Sequence, residues 1–153
     1  MSISVWPHIL ILSGPNLHSL GTREPHIYGD ASLDTIHTQL KNLAHTHQYK
    51  LTCLQSNHEG ALIDALWSTH TQPYVGVVFN PGAYAHTSLA LYDAVLGIKR
   101  PVVEVHLSNI FSREKERQRL IIAPACIGLI CGFGTQSYVL GLHALITHLT
   151  SVV

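Results

Sequence analysis

Five short runs with a strand pattern, either apolar or alternating, are separated by segments with helical periodicity, and they constrain the fold of this chain more than any other feature. The runs are His8–Ser13, Lys50–Ser56, Tyr74–Phe79, Pro101–Leu107 and Ile127–Cys131. Strands that alternate with helices along a chain pair in parallel through right-handed crossovers, and helices then cover both faces of the sheet. The sequence therefore predicts an α/β fold with a five-stranded parallel sheet.

Caps and apolar spacing predict the segments between the runs as helices. These helices run from the N-cap Ser32 to about His47, from the cap Asn57 to before Pro73, from about Thr87 to Leu96 with Gly97 as C-cap, over Ser112–Arg119, and over Thr135–Leu149. No repeat, linker or change of composition divides the 153 residues. We therefore predict one domain over residues 1–153, with a three-layer, flavodoxin-like fold and strand order 2-1-3-4-5.

Composition excludes several classes of protein. Nine basic and nine acidic residues cancel, so no basic surface for nucleic acid is expected. No apolar run is long enough to cross a membrane and no signal-peptide pattern opens the chain, which favours a cytoplasmic location. The three cysteines fit free thiols, and the twelve histidines lack the spacing of metal ligands, so no metal site is predicted.

The connection after the first run, SGPNLHSLGTREPHIYGD (Ser13 to Asp30), is unusually long. It spans 18 residues, whereas such connections usually take about 2–6 residues. It carries Arg23 and Tyr28, and a phenol becomes a base near neutral pH only beside a fixed cation. The spacing alone is equally compatible with a solvated loop.

Polar residues follow three of the predicted strands. Asn16 follows the first, Asn80 follows the third, and His106 lies at the end of the fourth. In an open parallel sheet the chemistry lies beyond the carboxyl ends of the strands. Glu104 and His106 are two residues apart on one strand and share a face, so the carboxylate can favour the imidazolium form that a proton donor needs. A buried pair with a purely structural role is the alternative.

Further candidates lie on the segments next to these strand ends. Arg113 and Arg117 are four apart and can bind an oxygen-rich anion, although a solvated surface shared with Glu114 and Glu116 is the alternative. His86 begins a predicted helix, where the helix dipole disfavours a positive charge, so we expect a neutral hydrogen-bonding role. The residues alone predict proton transfer on a small, polar, anionic metabolite.

Four long segments resemble the type II 3-dehydroquinate dehydratases, in the same order along the chain. They are GPNLHSLGTREPHIYG (14–29), FNPGAYAHTSLALYDA (79–94), PVVEVHLSNIFSREKER (101–117) and IGLICGFGTQSYVLGL (127–142). The resemblance implies an anti elimination of water from 3-dehydroquinate to 3-dehydroshikimate through an enolate. It implies no imine intermediate, no metal and no other cofactor. It implies a role in the shikimate pathway of aromatic amino-acid biosynthesis, and leaves quinate catabolism open.

By position, the resemblance implies five catalytic residues. Tyr28 matches the base and Arg23 the arginine that keeps it as a phenolate. Asn16 matches the residue that positions a water on the enolate oxygen. His106 matches the acid that protonates the departing hydroxyl, with Glu104 behind it.

The resemblance also implies a set of substrate-binding residues. They are Asn80, His86 and Arg117 for the hydroxyls, Leu107 (by its backbone) and Ser108 for the carboxylate, Arg113 as a lid residue, and Asp93 reaching a neighbouring subunit. The family's assembly, a homododecamer built as a tetramer of trimers, is implied with them. Ala85 and Thr22 are departures from the residues common in the family.

A different class of function uses the same fold. A flavodoxin-like binding module would hold a nucleotide or flavin at the strand ends. It requires a compact glycine-rich turn leading directly into a helix N-terminus, and the long first connection does not fit that requirement.

Overall fold

The computed structural model describes residues 5–22, 24–28 and 30–151. Its strands are β1 (His8–Ser13), β2 (Lys50–Gln55), β3 (Tyr74–Asn80), β4 (Val102–His106) and β5 (Gly128–Cys131). All neighbouring strands pair in parallel, and their order is β2-β1-β3-β4-β5. The predicted flavodoxin-like sheet and its strand order are confirmed.

Helices cover the two faces of this sheet. They are α2 (Leu33–Thr46), α3 (Glu59–Trp67), α4 (Leu89–Ile98) and α5 (Gln136–Ser151). The short helix α1 (Pro25–Tyr28) lies in the connection after β1. Helices α2 and α5 share a buried apolar cluster with Ile9 and Ile11 of β1, whereas α3 and α4 share another with Leu10 and Leu12. Because successive residues of β1 point to opposite layers, an unbroken apolar run is what this central strand requires.

The predicted helix over Ser112–Arg119 is wrong. The structure has two short 3-10 turns there, Ile110–Ser112 and Lys115–Arg117. Isolated short helices are marginal, and most helical stability comes from packing an apolar face. This charged segment has no such face, so it follows local hydrogen bonds instead, such as that from the Phe111 N–H to the Asn109 side chain at 3.2 Å.

The structure also differs from the sequence prediction in the connection after β1 and at the start of α3. The connection after β1 contains a 3-10 turn, Leu17–Ser19, and the short helix α1 before the N-cap Ser32. Helix α3 follows His58, because the Asn57 side chain accepts the backbone N–H of Asn16 at 3.0 Å instead of capping α3.

Helix α4 does not end at Leu96 with Gly97 as its C-cap, as the sequence predicts. It starts after the N-cap Ser88, continues to Ile98, and ends at Lys99 with φ 52°. The glycine allows close packing instead, since a Cβ at residue 97 would lie 2.7 Å from the Trp67 ring.

In the part of the chain that the structure describes, none of the helices combines the length and apolar character needed to span a membrane.

Gly141 is where α5 comes closest to the sheet. A Cβ at this residue would lie 2.5 Å from Cγ1 of Val105 and 3.3 Å from Cγ1 of Val78. Both contacts are with stiff, buried β-branched side chains, which cannot move aside easily. The close helix–sheet packing therefore depends on this glycine.

We expect Gly141→Ala to lower the thermal unfolding midpoint. Overpacking typically costs about 1–3 kcal/mol, which exceeds the gain of about 1 kcal/mol from replacing a helical glycine by alanine. Gly60→Ala in α3 is the matched control, because a Cβ there meets nothing within 4 Å and should raise the midpoint. Equal shifts in the two variants would contradict the proposed steric role.

Candidate active site

A cleft opens at the carboxyl ends of β1, β3 and β4, with a volume of about 120 Å³. It lies at the point where the strand order reverses between β1 and β3, the usual ligand site of this fold. Many of the predicted site residues line it: Asn16, Asn80, His86, His106, Leu107, Ser108, Arg113 and Arg117.

Close packing of two loops forms the floor of this cleft. The Gly14 N–H donates to the Asn80 carbonyl at 2.7 Å, and a Cβ on Gly14 would lie 2.5 Å from the Pro81 carbonyl oxygen. Asn16 follows in a left-handed conformation, φ 68°, which asparagine tolerates better than most residues. The loop after β1 is thereby held against the end of β3.

Glu104 and His106 form a buried hydrogen-bonded pair at the end of β4. His106 Nε2 donates to Glu104 Oε1 at 2.6 Å, and the two residues are 6% and 0% exposed. A carboxylate is almost never fully buried without a partner. Since His106 also lines the cleft, the carboxylate fixes the orientation of the ring at the cleft wall.

A thiol lies on the other side of the same carboxylate. Cys126 Sγ is 3.9 Å from Glu104 Oε2 and 3.7 Å from the Ile122 carbonyl oxygen. Burial, and then the negative charge of Glu104, raise the pKa of Cys126. The thiol therefore stays protonated as a weak donor, and sequence reasoning missed it because the two residues lie 22 positions apart.

His86 is held in one tautomer by the backbone. Its Nδ1 donates to the Arg119 carbonyl at 2.9 Å, which leaves Nε2 as an acceptor in the neutral ring. The His86 and His106 rings are nearly parallel, at 24°, with centroids 6.3 Å apart. This arrangement suits a hydrogen-bonding group next to a proton donor.

Two arginines line the cleft, and both contact one exposed carboxylate. Arg117 Nε pairs with Glu114 Oε1, and Arg113 Nε lies 3.8 Å from Glu114 Oε2. The Arg113 guanidinium also donates to Ser108 Oγ at 3.4 Å. The backbone N–H of Glu114, and then Arg117, lower the pKa of Glu114, so this carboxylate stays charged. The cleft thus presents cations to an anionic ligand.

Arg23 lies outside the described residues, and so does the side chain of Tyr28. The backbone of Tyr28 ends α1, and His26 and Ile27 of the same helix line a second hollow of about 530 Å³. This hollow shares Leu107, Ser108 and Arg113 with the cleft, so α1 lies beside it.

Asp93 is exposed on α4 and does not line the cleft. Its predicted role in the site of a neighbouring subunit is a matter of assembly. The structure of one chain does not test this role.

Tyr138 lies beneath the cleft, and sequence reasoning missed it. Its hydroxyl is 2.8 Å from Ser13 Oγ and is also hydrogen-bonded by the Asn80 side chain. Burial raises the pKa of Tyr138 to about 12 despite these two bonds. The phenol is therefore neutral and is not a base. Helical spacing could have shown that Tyr138 is buried, but not which strand end it contacts.

Two predictions about ligands can be set against the geometry. Within residues 5–22, 24–28 and 30–151, no group of three or more His, Cys, Asp or Glu side chains is placed to hold a metal ion. The connection after β1 passes through a 3-10 turn and α1 before α2 begins at Leu33. It is not the compact turn that a nucleotide or flavin phosphate site requires.

Comparison with known proteins gives a consistent result. The family model described as dehydroquinase class II matches residues 7–146. The 3-dehydroquinate dehydratase of Trichodesmium erythraeum is 53% identical over 142 residues, which cover 93% of this chain and 94% of that protein. That of Geotalea daltonii is 50% identical over 141 residues, 92% of this chain and 97% of the relative.

Solved structures agree with the sequence comparisons. The type II dehydroquinase of Butyrivibrio crossotus superposes with a TM-score of 0.90 at 36% identity, covering 92% of this chain and 97% of that chain. The type II dehydroquinase of Propionibacterium acnes gives 0.88 at 33% identity, with the same coverage. Fold, cleft and sequence together show that this chain belongs to the class II dehydroquinase family.

Proposed function

We propose that this chain catalyses the anti elimination of water from 3-dehydroquinate, giving 3-dehydroshikimate in the shikimate pathway. It is a hydro-lyase, a type II 3-dehydroquinate dehydratase, of the family to which the sequence belongs. The observation that carries the proposal is the buried Glu104–His106 pair at the edge of a polar cleft lined by Asn80 and Arg117. We place the enzyme in the cytoplasm, in aromatic amino-acid biosynthesis.

The reaction uses one base and one acid. Tyr28, kept as a phenolate by Arg23, removes the proton alpha to the ketone and leaves an enolate. Asn16 positions a water that stabilises the negative oxygen of this enolate. His106 then donates its proton to the departing hydroxyl, which leaves as water, and Glu104 stabilises the imidazolium before this transfer. Return of the proton from Tyr28 to His106 through solvent completes the cycle.

The elements that carry the acid and the base support an anti elimination. His106 ends a central strand and is fixed by a buried carboxylate, whereas Tyr28 belongs to the connection after β1. Groups on a strand end and on a neighbouring loop can approach opposite faces of the substrate's six-membered ring. Removal of the proton from one face and of the hydroxyl from the other then follows.

Polar groups of the cleft hold the substrate. Asn80, His86 and Arg117 bind its hydroxyls, while Ser108 and the backbone of Leu107 bind its carboxylate. The Leu107 carbonyl accepts the Gly134 N–H at 2.9 Å, which fixes this turn. Arg113 acts as the lid residue, and its contact with Ser108 Oγ supports a position over the carboxylate.

We expect the purified protein to convert 3-dehydroquinate into a product with the ultraviolet absorbance of a conjugated enone. The rate should be unchanged by a metal chelator and by borohydride pretreatment, because the proposed route uses neither a metal nor a lysine imine. Tyr28→Phe should lower kcat by about 100-fold or more, since it removes the base, while Tyr92→Phe on α4 serves as the matched control. An inactive, folded wild type would refute the proposed function.

We expect His106→Gln to lower kcat by about 10²–10⁴-fold, the usual contribution of a general acid. Glutamine keeps a side-chain N–H for Glu104 but cannot transfer a proton. His143→Gln, at an exposed position of α5, controls for the general effect of replacing a histidine. Steady-state kinetics measure both variants, and a kcat within threefold of wild type for His106→Gln would remove His106 from the role of acid.

We also propose that residues 1–153 act as one catalytic domain within a homododecamer, a tetramer of trimers. Asp93 of one subunit then reaches the substrate site of its neighbour. Its exposed position on α4, away from the cleft of its own chain, supports this role.

Asp93→Ala should lower kcat/KM or weaken assembly, as measured by kinetics and light scattering, whereas Asp64→Ala on α3 should do neither. Mixed oligomers of Asp93→Ala and His106→Gln subunits should regain activity, because some sites then receive both intact groups. An Asp93→Ala variant with wild-type mass and kinetics would contradict the shared site.

A further inference from the structure

Three polar side chains, Ser13, Asn80 and Tyr138, form a buried triad beneath the floor of the cleft. They are 0%, 2% and 0% exposed, and each comes from a different element: β1, β3 and α5. Their surroundings are apolar, since Leu142, Leu145 and Ile146 of α5 belong to the same buried cluster as Tyr138. A hydroxyl in such a layer costs free energy unless it is paired.

The sheet register brings the triad together. Ser13 and Asn80 are directly paired residues of neighbouring strands and therefore share a face of the sheet. This is the face of Ile11 and Val78, which pack in the cluster under α5. Tyr138 reaches both strand ends from α5, with its hydroxyl 2.8 Å from Ser13 Oγ and hydrogen-bonded by the Asn80 side chain.

The Asn80 amide is thereby fixed from two sides. Its Oδ1 accepts the Gly82 N–H at 3.1 Å, so the NH₂ group is the end that donates to the phenol oxygen of Tyr138. An amide held at both ends cannot flip. Since Asn80 also lines the cleft, its remaining N–H has a defined direction toward the ligand.

We propose that Tyr138 is a positioning residue for substrate binding, whose phenol holds the Asn80 amide in the orientation that donates to a substrate hydroxyl. The inference rests on the proposed function. It gives a reason for the hydroxyl group, since a phenylalanine would fill nearly the same volume of the core without introducing a polar atom.

Tyr138→Phe tests the inference, because it removes the hydroxyl and keeps the ring. We expect KM for 3-dehydroquinate to rise about 3- to 10-fold, the range for loss of one hydrogen bond, with kcat within about twofold of wild type. A purely structural role would lower the thermal unfolding midpoint and leave KM unchanged, and that result would overturn the inference.

Two further variants separate positioning from stability. Ser13→Ala removes the other partner of the phenol but keeps its bond with Asn80, so the unfolding midpoint should fall while KM stays near wild type. In an Asn80→Ala background, Tyr138→Phe should raise KM no further, because the group that it positions is gone. Additive effects on KM, or an equal rise in KM for Ser13→Ala, would contradict the proposed coupling through Asn80.

Crystal structures supply a readout that does not depend on activity. The Asn80 amide should be rotated or displaced in Tyr138→Phe relative to wild type, and an unmoved amide would overturn the inference. If the wild type proves inactive on 3-dehydroquinate, the proposed function fails, whereas the structures still decide whether Tyr138 holds Asn80.

Discussion

The site depends on the parallel pairing of β1 with a strand on each side, β2 and β3. This pairing aligns the carboxyl ends of β1 and β3, so that Ser13 lies beside Asn80 and the loop after β1 packs on the loop after β3. Gly14 allows that contact, because any side chain would overlap the Pro81 carbonyl. The cleft therefore follows from the strand register, because the same strand ends that form the sheet also carry the binding groups.

Charge in the cleft is arranged in two different ways. The Glu104 carboxylate is fully buried, and its contacts with His106 and Cys126 are fixed by β4 and the segment before β5. Glu114 is exposed, and its contacts with Arg113 and Arg117 are weakened by solvent. A rigid buried pair suits an acid that must keep one orientation, whereas exposed pairs can exchange partners when an anionic ligand arrives.

The sequence predicted the sheet, its order and several residues that line the cleft, because these depend on periodicity and on where strands end. It failed where tertiary contacts override local pattern. Ser112–Arg119 has helical charge spacing but no apolar face to bury, and Gly97 resembles a C-cap but lies inside α4, where it packs close to the Trp67 ring. Tyr138 could not be found because its partners lie on β1 and β3, 125 residues away in the case of Ser13.

The two functional groups at the strand ends are supported from opposite layers of the fold. Glu104 and His106 alternate with Val103 and Val105, whose side chains pack under α5, so the acid faces the layer of α3 and α4. Ser13 and Asn80 face α5 instead, where Tyr138 meets them. The acid and the binding amide thus have no buried partner in common among the described residues. A change in one layer can therefore alter substrate binding while the Glu104–His106 pair keeps its geometry, which is why separate effects on KM and kcat are physically reasonable in this protein.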